Sequence, residues 1–214
     1  MSYENLVQQL RLCLVNQTLP GFASQFKMAP DGRFTPDYDP TPSGARMAAV
    51  LILLHKQKEK INIPLIVRAD NGAPHSGQIA LPGGAYEEPE EYPVETALRE
   101  AREETALPRE RVDVLGKITP LFIPVSNFSV CPVIGCSSGE LELEPDFEEV
   151  QEIRWIDLNE LLSTPQTGFF MSRSAGRHIQ APYFASSAGK IWGATAMILI
   201  EVAEIIRRIQ SAQK

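Results

Sequence analysis

The chain has 214 residues, of which 43% are hydrophobic, and its 20 basic and 27 acidic residues give a formal net charge of −7. This length and apolar content suit one domain with a substantial core, and they exclude an intrinsically disordered or collagen-like protein. The acidic balance also argues against a surface that wraps nucleic acid, so we expect no nucleic-acid partner.

The acidic residues are concentrated in two segments of the chain. Residues 87–104 contain eight Glu and two Arg, and residues 140–152 contain seven acidic residues and no basic one. The rest of the chain carries a net charge of +6. Negative charge is therefore gathered at two places, as a protein that holds cations requires, while the remaining basic excess suits a polyanionic ligand.

The first 27 residues predict a helical extension. Apolar residues recur at helical spacing from Leu6 to Leu14, while Glu4 and Arg11 interrupt the apolar run that a signal peptide needs. The most apolar tract, Ala194–Ile200, is too short to cross a bilayer. The three cysteines lack metal-type spacing and suit reduced thiols. We therefore expect a cytoplasmic protein with no membrane partner.

Strand-like and helix-like segments alternate along the middle of the chain, which predicts a mixed α/β or α+β class. After a Pro/Gly-rich loop over 28–44, we expect strands at 47–55, 63–68, 112–119, 128–134 and 150–156 and helices at 94–105 and 158–162. Loop-rich sequence follows to residue 190, and a helix over 194–208 closes the chain. We expect a single domain over 1–214, with the extension 1–27, a core over 45–163 and a C-terminal extension over 164–214.

The predicted helix 94–105 carries two different arcs. Its apolar residues form a stripe at helical spacing, while Glu100, Glu103 and Glu104 fall at i, i+3 and i+4 on a neighbouring arc. Like charges at this spacing repel, and a divalent cation with oxygen ligands, Mg²⁺ or Mn²⁺, would relieve the repulsion. The alternative is an acidic helix face exposed to solvent. The surrounding sequence favours the cation.

Residues 84–107 resemble the Nudix box, the signature of hydrolases that act on a nucleoside diphosphate linked to another moiety. The matching positions are Gly84, Glu90 and the run Arg99–Leu107, R-E-A-R-E-E-T-A-L. The chain departs from the general pattern in one extra residue between Glu90 and Arg99 and in Ala106, which stands where Gly is usual.

The extra residue is similar to a feature of the coenzyme A pyrophosphatase-like branch of the Nudix proteins. That branch has an upstream element similar to Leu65, Arg68 and residues 75–84, H-S-G-Q-I-A-L-P-G-G, and a late element similar to residues 191–196, I-W-G-A-T-A. The branch usually has a Leu-Arg pair just before its His, and this chain has Gly72-Ala73 there.

The resemblance implies a Nudix α/β/α sandwich with a mixed central sheet, classed as α/β or, in some schemes, α+β. It implies a hydrolase dependent on Mg²⁺ or Mn²⁺ that cleaves the pyrophosphate of coenzyme A or acyl-coenzyme A. The products would be a 4′-phosphopantetheine-type fragment and adenosine 3′,5′-bisphosphate. One alternative is another small-molecule substrate, namely ADP-ribose, a dinucleotide or a nucleoside triphosphate. Another is a binding module of the same fold without turnover, and the resemblance also favours a homodimer.

The resemblance further assigns roles to acidic and basic residues. It implies that Glu100 and Glu104 are metal ligands, that Glu103 is a third ligand or the catalytic base, and that Arg99 orients these carboxylates. Glu149 stands just before a predicted strand, where many Nudix enzymes place a catalytic or metal-binding acid. The alternative for Glu149 is a surface residue that contributes to solubility.

Further residues are candidates for contacts with the substrate. Arg46 and Arg68 flank predicted strands and are candidates for contacts with phosphate or with an adenine nucleotide. His75 and Gln78 are candidates for hydrogen bonds to the substrate, although His75 could equally order the Gly-rich turn. The pair Gly83–Gly84 allows a sharp turn and a close approach of the backbone to metal or phosphate.

Overall fold

The computed structural model describes residues 1–16, 19–30, 38–70, 76–163, 167–174 and 177–213, with backbone alone for 172–174 and 177–179. In these residues the helices are α1 (Tyr3–Val15), α2 (Phe22–Gln25), α3 (Val94–Thr105), α4 (Leu158–Leu162) and α5 (Gly193–Ala212). The strands are β1 (Arg46–Gln57), β2 (Lys60–Arg68), β3 (Ile79–Ala80), β4 (Gly83–Ala85), β5 (Asp113–Lys117), β6 (Leu121–Ile123), β7 (Phe128–Ser138), β8 (Val150–Asp157), β9 (Thr167–Ser174), β10 (Arg177–Ser186) and β11 (Gly189–Trp192).

The main sheet contains β1 to β8 and is mixed. β1 and β7 run parallel over their whole shared length, from Arg46 opposite Phe128 to Lys56 opposite Ser138, and the other pairs are antiparallel. β1 and β2 pair only beside their connecting turn, from His55 opposite Asn62. Beyond that point β3 pairs with β2 and β4 pairs with β1. The short segment that carries β3 and β4 therefore contacts both β1 and β2 beyond the turn that connects them.

Side-chain alternation along β1 supplies both layers of the core. Ala48, Ile52 and Leu54 face a large buried cluster that includes α1 and α5, whereas Ala49, Leu51 and Leu53 face a smaller cluster under α3. An almost uninterrupted apolar strand of this kind is typical of a sheet covered on both faces. Helices therefore flank the mixed sheet on both sides, and the predicted α/β sandwich is confirmed.

The predicted N-terminal helix corresponds to α1, whose buried residues Leu6, Leu10 and Leu14 lie on one face. The segment after it is fastened to α5 through the buried carboxylate of Glu201. That carboxylate accepts hydrogen bonds from Thr119 Oγ1 (2.6 Å) and Gln25 Nε2 (2.7 Å), and Oε1 also accepts from Gly21 N–H (3.1 Å).

The prediction of loop-rich sequence between residues 164 and 190 is wrong. β9, β10 and β11 form a second, antiparallel sheet, with Phe169 opposite Pro182 and Tyr183 opposite Trp192. Pro182 lies inside β10, although proline argues against a strand when the sequence is considered alone. The sheet is anchored from one side, because Phe184 is buried in the main core.

Residues 140–144 do not form a strand, although Leu alternates with Glu there. Their Leu141 and Leu143 pack against the cluster under α3, which accounts for the alternation of Leu with Glu. The backbone that follows pairs with the end of a helix and not with a strand. Glu144 N–H donates to Thr105 O (3.0 Å) and Asp146 N–H to Glu104 O (3.1 Å), which satisfies carbonyls that α3 leaves free.

No helix in the described part of the chain combines the length and apolar character needed to span a bilayer.

Candidate active site

The turn at Gly83–Gly84 is pressed against β1. Gly83 lies opposite Val50 and Gly84 opposite Ala49 in the antiparallel β1–β4 pair. Gly83 has φ +153, and a Cβ there would lie 2.3 Å from the Ala49 carbonyl oxygen. A Cβ on Gly84 would lie 2.4 Å from Glu100 Oε2. Gly83 therefore needs glycine because a Cβ there would meet backbone, whereas a Cβ on Gly84 would displace the Glu100 carboxylate from the space that it occupies.

Helix α3 presents its carboxylates to this turn because its other side is buried. Ala97, Leu98 and Ala101 pack under the sheet with Ala49 and Leu51. This places the arc of Glu100 and Glu104 beside β4, and the helix has the bounds that the sequence predicts. The helix ends at Ala106, which adopts φ 55 and ψ 22, the left-handed conformation that usually selects glycine.

Glu104 is the most deeply buried carboxylate of the site, with a side chain only 3% exposed. Its Oε2 accepts a hydrogen bond from Gly83 N–H (2.8 Å), and its Oε1 lies 3.7 Å from Arg68 Nη1. Burial raises the pKa of Glu104 to about 8, and the charges of Glu100 and Glu149 act in the same direction, while Gly83 and Arg68 oppose them. The local positive charge thus falls short of balancing this carboxylate.

Glu100 lies one turn earlier in α3, and its carboxylate occupies the space that a side chain on residue 84 would fill. Its Oε1 accepts a hydrogen bond from Arg99 Nη1 (2.9 Å). Burial raises the pKa of Glu100, and the charges of Glu103 and Glu149 add to this, against the influence of Arg99. Two acids, Glu104 buried and Glu100 partly buried, therefore lie on adjacent turns of one helix, and burial raises the pKa of both.

Arg99 ties the helix to the turn. Its guanidinium donates to Glu90, to Glu100 and, at 2.8 Å each, to Glu103 Oε2 and the Ala85 carbonyl. Hydrogen bonds to Glu90 above all raise the pKa of Arg99, so it stays charged. Burial alone would raise the pKa of Glu90, but hydrogen bonds from Arg99 and Thr96 overcome this and lower it. Arg99 therefore contacts three carboxylates and one backbone carbonyl.

Glu103 and Glu149 lie at the open side of this arrangement. The side chain of Glu103 is 51% exposed, with one oxygen on Arg99. Glu149 is also exposed, at the entry to β8, and its carbonyl accepts a hydrogen bond from Ala69 N–H (2.8 Å). Its charge acts on both Glu100 and Glu104, so it lies near both. The sheet brings this acid, far away in sequence, to the helix.

The donor set fits a hard divalent cation. It offers carboxylate oxygens next to a backbone turn, and the nearby positive charge does not prevent the pKa values of Glu100 and Glu104 from being raised. Mg²⁺ requires only one or two carboxylates when waters and phosphate oxygens complete its octahedron. Among the described residues, no three His, Cys, Asp or Glu side chains already converge as a complete cage. Glu100 and Glu103 are instead turned towards Arg99.

The structure separates the candidates for substrate contact. Arg68, at the end of β2, lies at the carboxylate cluster, and its N–H donates to Gln78 O (3.0 Å). Arg46 lies at the start of β1, with its guanidinium carbon 4.2 Å from the centroid of the Phe128 ring, and within the described residues it forms no ion pair with the α3 glutamates. His75 lies outside the described residues.

Two features of the site were not assigned a role from the sequence. Glu90, a position of the box motif, anchors Arg99, and the Ala85 carbonyl gives Arg99 a fixed backbone partner. The resemblance of residues 84–107 to the box motif could have suggested the first, because Glu90 and Arg99 are both charged positions that match the motif. The hydrogen bond from Arg99 to the Ala85 carbonyl depends on the pairing of β1 with β4, which no local sequence pattern predicts.

Comparison with known proteins places these features in a family context. The NUDIX domain profile matches residues 45–174. The chain is 36% identical over 162 residues to the uncharacterized Nudix hydrolase NudL of Pectobacterium atrosepticum, covering 74% of this chain and 81% of that protein. It is 32% identical over 186 residues to the NudL protein of Cronobacter sakazakii, also named an uncharacterized Nudix hydrolase, covering 87% and 93%. Among solved structures, the Nudix hydrolase RenU from M. smegmatis has a similar fold, with a TM-score of 0.52 at 19% identity over 78% of this chain and 87% of that one.

Proposed function

The chain belongs to the Nudix hydrolase family, and from that premise we propose that it cleaves the pyrophosphate bond of coenzyme A or an acyl derivative with the aid of Mg²⁺ or Mn²⁺. Water adds to one phosphorus, the bridging P–O bond breaks, and the other phosphate leaves. The products are a 4′-phosphopantetheine-type fragment and adenosine 3′,5′-bisphosphate.

One observation carries the chemical part of the proposal: Glu100 and Glu104 both meet the Gly83–Gly84 turn, and burial raises the pKa of each. Buried acids of this kind favour a bound cation over two separate negative charges. A divalent cation held there polarises phosphoryl oxygens and lowers the pKa of a bound water.

The protein's own groups hold the ligands and move the proton. Arg99, fixed by Glu90 and the Ala85 carbonyl, orients Glu100 and Glu103, and Gly83 N–H fixes Glu104. We assign Glu149 as the general base, because it is exposed and its charge reaches both buried ligands. Its carboxylate would take the proton of the attacking water. The alternative base is Glu103, whose side chain is half exposed but is held by Arg99.

The substrate part of the proposal depends on sequence elements. Leu65, Arg68 and residues 75–84 are similar in sequence to the upstream element of the coenzyme A pyrophosphatase-like branch, and Gln78 and Arg68 meet at the β2–β3 pair. The position where that branch usually has an arginine is Ala73, which lies outside the described residues. This departure is the reason to test ADP-ribose, dinucleotides and nucleoside triphosphates as alternatives.

A hydrolysis screen tests the proposal. The purified chain would be incubated with Mg²⁺ or Mn²⁺ and coenzyme A, acetyl-coenzyme A, ADP-ribose, NADH, diadenosine polyphosphates or a nucleoside triphosphate, with products identified by mass spectrometry. We expect the highest kcat/KM for coenzyme A or its acetyl derivative, and in ¹⁸O-labelled water one product carries the label, which identifies the attacked phosphorus. EDTA should abolish turnover.

The controls separate chemistry from substrate choice. Glu104→Gln should lower kcat by at least about 100-fold while the circular dichroism spectrum stays native. Glu142→Gln, an exposed acid outside the site, should leave kcat unchanged. A preference for ADP-ribose would refute coenzyme A as substrate and keep the hydrolase. Absence of turnover on every compound would refute the enzymatic function.

A further inference from the structure

Arg68 is held at a bend between two strands. It is the last residue of β2, and the register against β8 shifts between Val67 and Arg68. Its backbone N–H donates to Gln78 O, and its carbonyl accepts from Gly77 N–H, both at 3.0 Å. Irregularities of this kind redirect a side chain from its regular position and are frequent beside active sites. Here the side chain reaches Glu104.

The contact between Arg68 and Glu104 is a long ion pair between a partly exposed guanidinium and a buried carboxyl group. Arg68 Nη1 lies 3.7 Å from Glu104 Oε1, which is longer than a hydrogen bond. The Arg68 side chain is 36% exposed, whereas that of Glu104 is 3% exposed. Within the described residues, Glu104 is the one ion-pair partner of Arg68. The guanidinium thus extends from a buried acid to the open side of the site, with N–H donors that can bind a second anion.

We propose that Arg68 exchanges partners between the two stages of binding. Without the cation, the Arg68 guanidinium lies beside the Glu104 carboxyl group. A divalent cation held by that group would repel the guanidinium, which would then pair with an oxygen of the substrate's pyrophosphate. This inference rests on the proposed function. It adds that Arg68 weakens the binding of the cation and strengthens the binding of the substrate.

The exchange predicts effects of opposite sign. Loss of the Arg68 charge removes a positive charge that would repel the cation at Glu104, so the cation should bind more tightly by about threefold to tenfold. The same change removes a charged hydrogen bond to the pyrophosphate, so the substrate should bind more weakly by about tenfold to 100-fold. A residue that merely supports Glu104 would weaken both.

Two binding measurements test the exchange without turnover. The Kd of Mn²⁺ is measured from the electron paramagnetic resonance signal of free Mn²⁺ in the absence of substrate. The Kd of the non-hydrolysable pyrophosphate α,β-methylene-ADP is measured by calorimetry at saturating Mn²⁺. The variants are Arg68→Gln, Arg68→Lys and, as control, Arg102→Gln, which removes the same charge from an exposed position of α3. Thermal melts check that each variant folds.

For Arg68→Gln we expect a lower Kd for Mn²⁺ and a higher Kd for α,β-methylene-ADP, with neither change in Arg102→Gln. Arg68→Lys retains the charge but not the planar fork, so its Kd for Mn²⁺ should stay near the wild-type value while that of the analogue rises. An unchanged or higher Kd for Mn²⁺ in Arg68→Gln, or an unchanged Kd for the analogue, would overturn the exchange. Because neither measurement depends on hydrolysis, a wild-type protein that cleaves none of the screened compounds counts against the proposed function alone.

Discussion

The raised pKa of Glu104 makes the stability of the cation-free protein depend on pH. The folded protein retains the Glu104 proton up to a pH of about 8, whereas an unfolded chain releases it near pH ~4.3. Between these two values the folded state binds more protons than the unfolded state. The contribution to stability is therefore complete below the unfolded pKa and is lost as the pH rises through the folded one.

The size of the effect follows from proton linkage. Within this interval one retained proton changes the free energy of unfolding by about 1.4 kcal/mol per pH unit, so raising the pH from about 5.5 to about 7.5 should cost about 2–3 kcal/mol. For a chain of this size that corresponds to a decrease in Tm of about 4–12 °C. Bound Mg²⁺ should oppose the trend, because its ligands must be deprotonated.

Thermal melts in EDTA and in Mg²⁺ across this pH range measure the effect. Glu100 and Glu201 also have raised pKa values, so the informative quantity is the difference between the wild type and Glu104→Gln. The variant should lose most of the decrease in Tm seen in EDTA, and Glu142→Gln should retain it. Equal pH dependence in the wild type and Glu104→Gln would refute the inference that this carboxyl is buried and protonated without a cation.

Three further substitutions have defined outcomes. Gly84→Ala places a Cβ 2.4 Å from Glu100 Oε2, so the carboxylate must move. We expect kcat to decrease by at least about tenfold with little loss of Tm, and an unchanged kcat would contradict the close packing. Glu149→Gln should lower kcat by about 10²–10⁴ with little change in KM, while Glu148→Gln serves as the matched control, and equal kcat in both variants would remove Glu149 as the base. Ala106→Gly should relieve the backbone strain of a left-handed alanine and raise the free energy of unfolding by about 1 kcal/mol. We expect Tm to increase by about 2–4 °C with unchanged kcat, and a lower Tm would contradict the strain at this position.

The main sheet and helix α3 could be predicted because local pattern and burial agree there. The apolar run of β1 has no polar face, and the observed sheet is covered on both sides. In α3 the apolar and acidic arcs are separated at helical spacing, so the helix has one orientation that buries the first arc and presents the second. The position of Ala106, where glycine is usual in the motif, corresponds to a left-handed residue.

What the sequence did not predict depends on contacts between distant residues. β9 and β10 pair with each other, and Pro182 within β10 argues against a strand when the sequence is considered alone. Leu alternates with Glu over residues 140–144, but the backbone at Glu144 and Asp146 pairs with the end of α3 and not with a strand. The ion pair of Arg68 with Glu104 results from the junction of β2 with β8, and no spacing in the sequence encodes that distance.

The most direct test of the proposed cation site is the location of Mn²⁺ in crystals of the protein, by anomalous X-ray scattering. We predict an anomalous peak bound by Glu100 and Glu104 beside the Gly83–Gly84 turn, and its loss in crystals of Glu104→Gln. A peak confined to the acidic segment 140–148, or an empty α3 site at a Mn²⁺ concentration that supports turnover, would contradict the assignment of this helix as the cation-binding element of the hydrolase.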